Sequence, residues 1–209
     1  MVCLCLAANL LLAQPAPPEV LTAASNGLPA FLASVPENAR EMVGFSKDND
    51  FSQARLGTPL RLHTITPAAL AGDVAVQSVQ RLLSETTLWY FPVEMQGETK
   101  AMLVVDRMPD GWRAVSFGYA PLAREWNVIA RQWPTAKGFH PRLVVVFQAS
   151  QYCFTVPELD DQNLTPVASA TASGLKPPPG YTALGALSDT VKTLRPVVAK
   201  AVVEPRPSN

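Results

Sequence analysis

Three strand-like hydrophobic runs follow one another between residues 88 and 118. Gln96-Gly97 separates the first run from the second, and Pro109-Asp110-Gly111 separates the second from the third. Proline presets φ and Asp-Gly accepts the positive φ of a tight turn, so this spacing predicts an antiparallel β-meander. Alternation of polar and apolar residues over 60–65, and two β-rich runs after residue 141, predict further strands. The predicted strands lie near 60–65, 88–95, 101–108, 112–117, 142–148 and 152–156.

A helical period appears after the meander. One apolar stripe at offsets of four, three and four predicts a helix near 121–133 that packs against the sheet. The stripe consists of Leu122, Trp126, Ile129 and Trp133. Capping signals at Ser34-Val35-Pro36-Glu37 and Thr66-Pro67 favour two earlier helices. The additional predicted helices lie near 36–43, 67–83 and 182–194. The expected fold is therefore α+β, an antiparallel β-meander packed against a helix.

Residues 1–13 form an apolar run with Asn9 as its polar member after Met1. The run is shorter than the roughly 20 residues that a membrane-spanning helix needs, and it has the length of a signal-peptide core. No Lys or Arg precedes it, since the first basic residue is Arg40. We predict a leader of an exported protein, secreted or periplasmic, with no transmembrane span after its removal. A buried N-terminal helix is the alternative.

The 20 prolines are concentrated toward both ends of the 209-residue chain. Proline-rich composition is typical of linkers and tails. We therefore expect a proline-containing linker at 14–33, a single α+β domain at 34–160 and a proline-rich C-terminal segment at 161–209.

The charge balance excludes one class of partner. Lys plus Arg and Asp plus Glu each number 17, so the formal net charge is zero. Nucleic-acid binders usually carry a basic excess, and none is predicted here. The sequence contains no glycine-rich phosphate loop, no serine elbow and no zinc-ligand spacing, so neither a cofactor nor a metal is predicted. Asn163-Leu164-Thr165 fits the N-glycosylation pattern.

A nucleophilic cysteine activated by a histidine is the catalytic arrangement that the residue types allow. Outside the leader the chain has one cysteine, Cys153, and its two histidines are His63 and His140. Tyr152 and Phe154 flank the cysteine, and this apolar context favours a buried, inert thiol.

Aromatic side chains are concentrated between residues 89 and 133. In a strand, Trp89 and Phe91 share one face and Tyr90 points to the other. We expect the Trp89 face to pack beneath the helix that carries Trp126, and Tyr90 to remain on an open face. Core packing is the usual role of such residues, and an open face that binds a ligand is the alternative. The binding candidates are Tyr90, Trp89 and Trp112.

The order of elements from Trp89-Tyr90-Phe91-Pro92-Val93 through Gly111-Trp112-Arg113-Ala114-Val115 resembles that of cystatin-like and PepSY-type modules of exported bacterial proteins. The resemblance covers the meander region and implies binding or inhibition rather than catalysis. The favoured hypothesis is a non-catalytic binding or interaction module for a protein, peptide or glycan. The alternatives are a small extracytoplasmic hydrolase-like enzyme using Cys153 with a histidine, and an envelope assembly component.

Overall fold

A computed structural model describes residues 15–71, 78–168 and 179–203; the predicted leader lies outside them. They form an eight-stranded, mostly antiparallel sheet with four α-helices, which confirms the α+β prediction. The strands are β1 Arg55–Leu56, β2 Leu60–Ile65, β3 Leu83–Met95, β4 Glu98–Met108, β5 Gly111–Gly118, β6 Arg142–Val146, β7 Gln151–Thr155 and β8 Thr165–Pro166. The helices are α1 Pro18–Ser34, α2 Pro67–Ala71, α3 Ala120–Gln132 and α4 Leu187–Val203.

The strand order is β5-β4-β3-β2-β6-β7-β8, and β1 pairs with β3. The predicted meander is present as β3, β4 and β5, and its first turn has positive φ at both Gln96 and Gly97. This is the geometry that a right-twisted two-residue hairpin requires. β2 and β6 pair in parallel, with His63 opposite Val144, whereas every other strand pair in the described part of the chain is antiparallel.

Helices cover both faces of the sheet. On one face α3 packs on a core that includes Tyr90, Trp126 and Phe154. On the other face α1 covers the β3–β5 half, and α2 and α4 cover the β6–β7 half. The expected assignment of aromatic faces was wrong, because Trp89 and Phe91 pack against α1 while Tyr90 faces α3. The alternation of side chains along a strand correctly assigned Trp89 and Tyr90 to opposite faces, but it does not identify which helix covers each face.

The helix α1 lies in the stretch predicted to be a linker. Pro18 is at its first position, where proline needs no N–H partner. Its buried stripe consists of Val20, Ala24, Leu28 and Leu32. Gly27 allows close approach to the sheet, since a Cβ there would lie 2.2 Å from Ala114 Cβ. The described part of the predicted linker, residues 15–33, therefore packs on the domain, although its prolines are typical of a linker and its apolar residues recur at a spacing of four.

The two predicted early helices are present only in part, since the one near 67–83 begins at Pro67 as predicted and the one near 36–43 is replaced by 3₁₀ turns. Over 36–43 the chain forms 3₁₀ turns at Glu37–Ala39 and Glu41–Val43. Ser34 Oγ donates to Phe31 O, so this serine closes α1 instead of opening a new helix. Within 67–83, α2 ends at Ala71, residues 72–77 lie outside the described part, and a 3₁₀ turn at Val79–Arg81 leads into β3. Leu83, the last residue of the predicted helix, instead begins β3 and pairs with Ile65 of β2.

The C-terminal segment contributes to the same core. β8 pairs with β7, and α4 buries Leu194 and Val198 against the sheet. α4 continues past Pro196 to Val203, beyond the predicted end at 194. β6 ends at Val146, two residues before the predicted end, where a 3₁₀ turn begins. Among the described helices, none has the length and apolarity needed to cross a membrane.

Candidate functional site

Cys153 and the histidines do not form a catalytic pair. Cys153 is fully buried in β7, and burial raises the pKa of its thiol. His63, Val144 and Cys153 lie in register on three neighbouring strands. Strands are about 4.8 Å apart, so the histidine is roughly 10 Å from the cysteine, with a valine between them. A buried, neutral thiol without an imidazole beside it is a poor nucleophile.

Cys153 is expected to resist thiol reagents in the native protein. The test uses a Cys3→Ser/Cys5→Ser variant, in which Cys153 is the remaining thiol. Ellman's reagent should react at the rate of unfolding in buffer and immediately in concentrated denaturant. Rapid modification of the folded protein at neutral pH would contradict this expectation and would restore the enzyme hypothesis.

His140 has a different partner. Its Nδ1 lies 3.1 Å from Glu158 Oε1, and its backbone N–H donates to Glu158 Oε2 at 3.1 Å. This pair joins the segment before β6 to the segment after β7. These contacts give His140 a structural role, because they connect the two segments.

The predicted open aromatic face is absent from the described residues. Trp89 is 2% exposed and Tyr90 is 4% exposed. The Tyr90 hydroxyl lies 2.8 Å from the Tyr152 hydroxyl, inside the face covered by α3. Trp112 differs from the other two candidates, because it is half-buried and borders a shallow groove beside α1. The predicted helix α3 covers the Tyr90 face, which was expected to bind a ligand, and α1, which the sequence did not reveal, covers the Trp89 face.

A group of polar, partly exposed side chains, of which sequence reasoning singled out only His63, lies on the α1 side of the sheet between α1 and the α2–α4 pair, and we call it the trough. Side chains of β2 and β3, with neighbouring groups, remain partly exposed there between α1 and the α2–α4 pair. We define the trough by Arg61, His63, Gln80, Glu85 and Arg142. Arg61 is opposite Trp89, which packs under α1, and His63 is opposite Val144, which packs under α4. The alternation of polar and apolar residues in β2 was the sequence signal from which a polar face at this place could have been predicted.

Arg61 is held in place on three sides. Its Nη1 lies 2.7 Å from Glu85 Oε2, its Nε donates to Thr86 O at 3.3 Å, and its guanidinium carbon lies 5.7 Å from the centre of the Trp89 ring. The arginine side chain is 29% exposed and that of Glu85 is 57% exposed. The backbone and ring contacts fix the cation, whereas the carboxylate is the more solvated partner.

Arg142 lies beside Arg61. The parallel pairing places His63 opposite Val144, and continuing this register by two residues would place Arg61 next to Arg142; both arginines are close enough to His63 to lower the pKa of its imidazole. Arg142 Nη1 donates to Gln80 Oε1 at 2.7 Å. Within residues 15–71, 78–168 and 179–203, no carboxylate forms an ion pair with Arg142. Like charges directly opposite each other destabilise a sheet, so this pair is costly to the fold.

His63 lies next to both arginines. Its Nδ1 is 3.1 Å from Arg61 O, and because a carbonyl only accepts, Nδ1 carries the hydrogen. In the neutral ring Nε2 is then an acceptor. Burial, followed by the positive charge of Arg142, lowers the pKa of His63 below its ordinary value. The imidazole is therefore neutral at neutral pH.

This lowered pKa predicts a loss of stability in weak acid. The unfolded histidine takes up a proton as pH falls through about 6.5, whereas the folded one does so at lower pH. The unfolded state then binds more protons, so the free energy of unfolding falls with pH below that value. Urea unfolding between pH 8 and pH 5 should show a smaller fall for His63→Gln than for the wild type. A His140→Gln control should retain the fall, and equal slopes in wild type and His63→Gln would refute the prediction.

Comparison of the chain with protein-family models, with curated proteins and with solved structures finds no match. The resemblance to cystatin-like and PepSY-type modules therefore remains a sequence-based expectation. In the part of the chain that the structure describes, no three His, Cys, Asp or Glu side chains come together as a metal site.

Proposed function

We propose that this protein is a non-catalytic binding module of an exported protein, and that its ligand occupies the trough. The observation that carries the proposal is the adjacent pair Arg61 and Arg142. Arg61 already pairs with Glu85, whereas Arg142 has no carboxylate partner among the described residues, and a half-buried cation without a counter-ion opposes folding unless an anion binds it. Arrangements that reduce stability are concentrated at functional sites.

The remaining groups of the trough suit binding better than reaction. His63 offers a neutral acceptor, and the arginines offer donors in a fixed geometry. The described trough contains no cysteine, and Cys153 lies buried beyond Val144. The hydrolase alternative would need a reactive group in this place, so we do not favour it.

A thermal-shift screen tests the location of the binding site. Neutral sugars, phosphorylated compounds, small carboxylates and short peptides are each added to the wild type, to Arg142→Gln and to Arg113→Gln. Arg113 is the matched control because it is an exposed arginine already paired with Asp110. A ligand of the folded state raises Tm in proportion to its occupancy.

The expected result is that at least one compound class raises the Tm of the wild type and of Arg113→Gln but not that of Arg142→Gln. A shift that survives Arg142→Gln places the ligand elsewhere and overturns the proposal. The absence of a shift with every class also counts against it.

Export rests on the apolar residues 1–13. Residues 1–20 fused to a reporter that is active only outside the cytoplasm should give activity, and replacing two leucines of the run with arginine should abolish it. Equal reporter activity with and without these replacements would remove export from the proposal.

A further inference from the structure

We infer that the trough binds a carboxylate whose neighbouring carbon carries a hydrogen-bond donor, as in a 2-hydroxy acid or an N-acyl amino acid. This inference rests on the proposed function and specifies the chemistry of its ligand. It follows from the charge of the trough, from the state of its ion pair and from the free acceptor on its histidine.

The charge of the trough fits one negative charge. Among the five residues that define the trough, Arg61 and Arg142 contribute two positive charges, Glu85 contributes one negative charge and neutral His63 contributes none, which leaves +1; Asp161, which accepts from Gln80 N at the border of the trough, is not included in this sum. A carboxylate carries −1 at neutral pH. Phosphate monoesters carry −1.5 to −2, so they exceed this charge. A planar carboxylate also matches the paired donors of a guanidinium.

The existing ion pair leaves room for a competing anion. Exposed ion pairs contribute little to stability, so a competing anion can readily replace the largely solvated Glu85 beside Arg61. Arg61 would stay in position when Glu85 turns away, because Thr86 O and the Trp89 ring hold it. A bound carboxylate would then lie between two fixed arginines.

The hydrogen-bonding network around Arg142 is incomplete without a further acceptor. Gln80 Oε1 accepts from Arg142, and the other end of the amide, Nε2, is buried and has no partner in the described structure. Buried polar groups in folded proteins are nearly always paired. Nε2 is inaccessible to solvent in this structure, so a ligand oxygen would supply the missing acceptor only after the Gln80 side chain turns toward the trough.

His63 accounts for the second part of the ligand. Because Nδ1 donates to Arg61 O, Nε2 is left to accept. His63 is two residues from Arg61 on the same face of β2, about 6.6 Å along the strand. An O–H or N–H on the carbon next to the carboxylate can donate to Nε2 while the carboxylate oxygens bind the arginines. Acetate lacks this donor, so it should bind more weakly.

The experiment compares glycolate, N-acetylglycine, acetate and inorganic phosphate by NMR titration of the full protein at pH 7.5. The His63 ring signal reports binding in the trough, and the His140 ring signal is the control. We expect glycolate and N-acetylglycine to shift the His63 signal, to bind at least about threefold more tightly than acetate, and to weaken as salt rises. The relative affinities of glycolate and N-acetylglycine show whether the natural ligand is a hydroxy acid or an acylated amino acid.

Three variants make the test specific. Arg142→Gln is expected to weaken glycolate binding by about tenfold or more, since it removes a charge-assisted hydrogen bond to the carboxylate. Glu85→Gln is expected to strengthen binding, because it removes the competing carboxylate. His63→Phe should abolish the preference for glycolate over acetate. Because this variant lacks the His63 ring signal, binding is then measured from the Trp89 side-chain signal. A merely structural role for these residues would not produce a gain in affinity with Glu85→Gln.

The failure of this inference can be told apart from failure of the proposed function. If phosphate binds more tightly than glycolate, or if Glu85→Gln weakens binding, the carboxylate assignment is wrong. A thermal shift by another compound class that is lost in Arg142→Gln would still support the trough as the binding site. Binding of glycolate without a His63 shift would overturn the inference directly.

Discussion

Replacing Gly44 with alanine is expected to lower the free energy of unfolding by about 3 kcal/mol or more, since left-handed strain and a backbone clash act together. Gly44 follows the 3₁₀ turn Glu41–Val43 and has φ +98°. A Cβ at this position would lie 1.9 Å from Lys100 O, so β4 or the turn would have to move. Urea unfolding followed by tryptophan fluorescence measures the loss.

Gly97 supplies the matched control. It has φ +75°, and no other atom lies within 4 Å of the Cβ that alanine would add. Gly97→Ala therefore introduces strain without a clash, and its expected cost is about 1 kcal/mol. Equal losses for Gly44→Ala and Gly97→Ala would show that the approach of Lys100 O has no energetic effect.

Replacing Asn163 with alanine is expected to cost about 3 kcal/mol, because it leaves buried backbone groups without partners. Asn163 is 3% exposed. Its Oδ1 accepts from Thr155 Oγ1 at 3.0 Å and from Val156 N at 2.8 Å, and its Nδ2 donates to Val156 O and Asp160 O. The side chain thus connects the end of β7 to the segment that leads into β8.

The neighbouring residue provides the comparison for Asn163. Gln162 is exposed, and Gln162→Ala should change the free energy of unfolding by less than about 0.5 kcal/mol. A small loss in Asn163→Ala as well would contradict the structural role of the amide. The same burial means that a glycan at the Asn163-Leu164-Thr165 pattern is incompatible with this fold, because it would replace a donor hydrogen of Nδ2 and needs space outside the core.

The local parts of the fold could be predicted from the sequence. The meander follows from short runs separated by turn residues, and the α3 stripe follows from spacing within thirteen residues. α1 could not be predicted in this way, because Pro18 and Pro29 are typical of a linker and the buried stripe from Val20 to Leu32 contains small as well as large residues. Nothing local to β3 indicates that α1 lies over Trp89 while α3 lies over Tyr90.

The candidate site was predicted only in part. His63 was identified as chemically notable, but its expected partner was Cys153, which lies two strands away behind Val144. Arg61 and Arg142 are 81 positions apart in the chain. They come together through a parallel pairing, and alternation within one strand carries no information about which distant strand lies next to it.

That parallel pairing has a consequence for the order of folding. The meander β3–β5 can form from consecutive hairpins. β2 and β6, in contrast, pair across all the elements that lie between them in the chain. Thr64 Oγ1 then donates to Val145 O across this junction. Contacts between distant parts of a chain form slowly because loop closure costs entropy. The β2–β6 junction should therefore be completed late, and the trough, which has one arginine on each side of it, exists only once both halves of the sheet are joined.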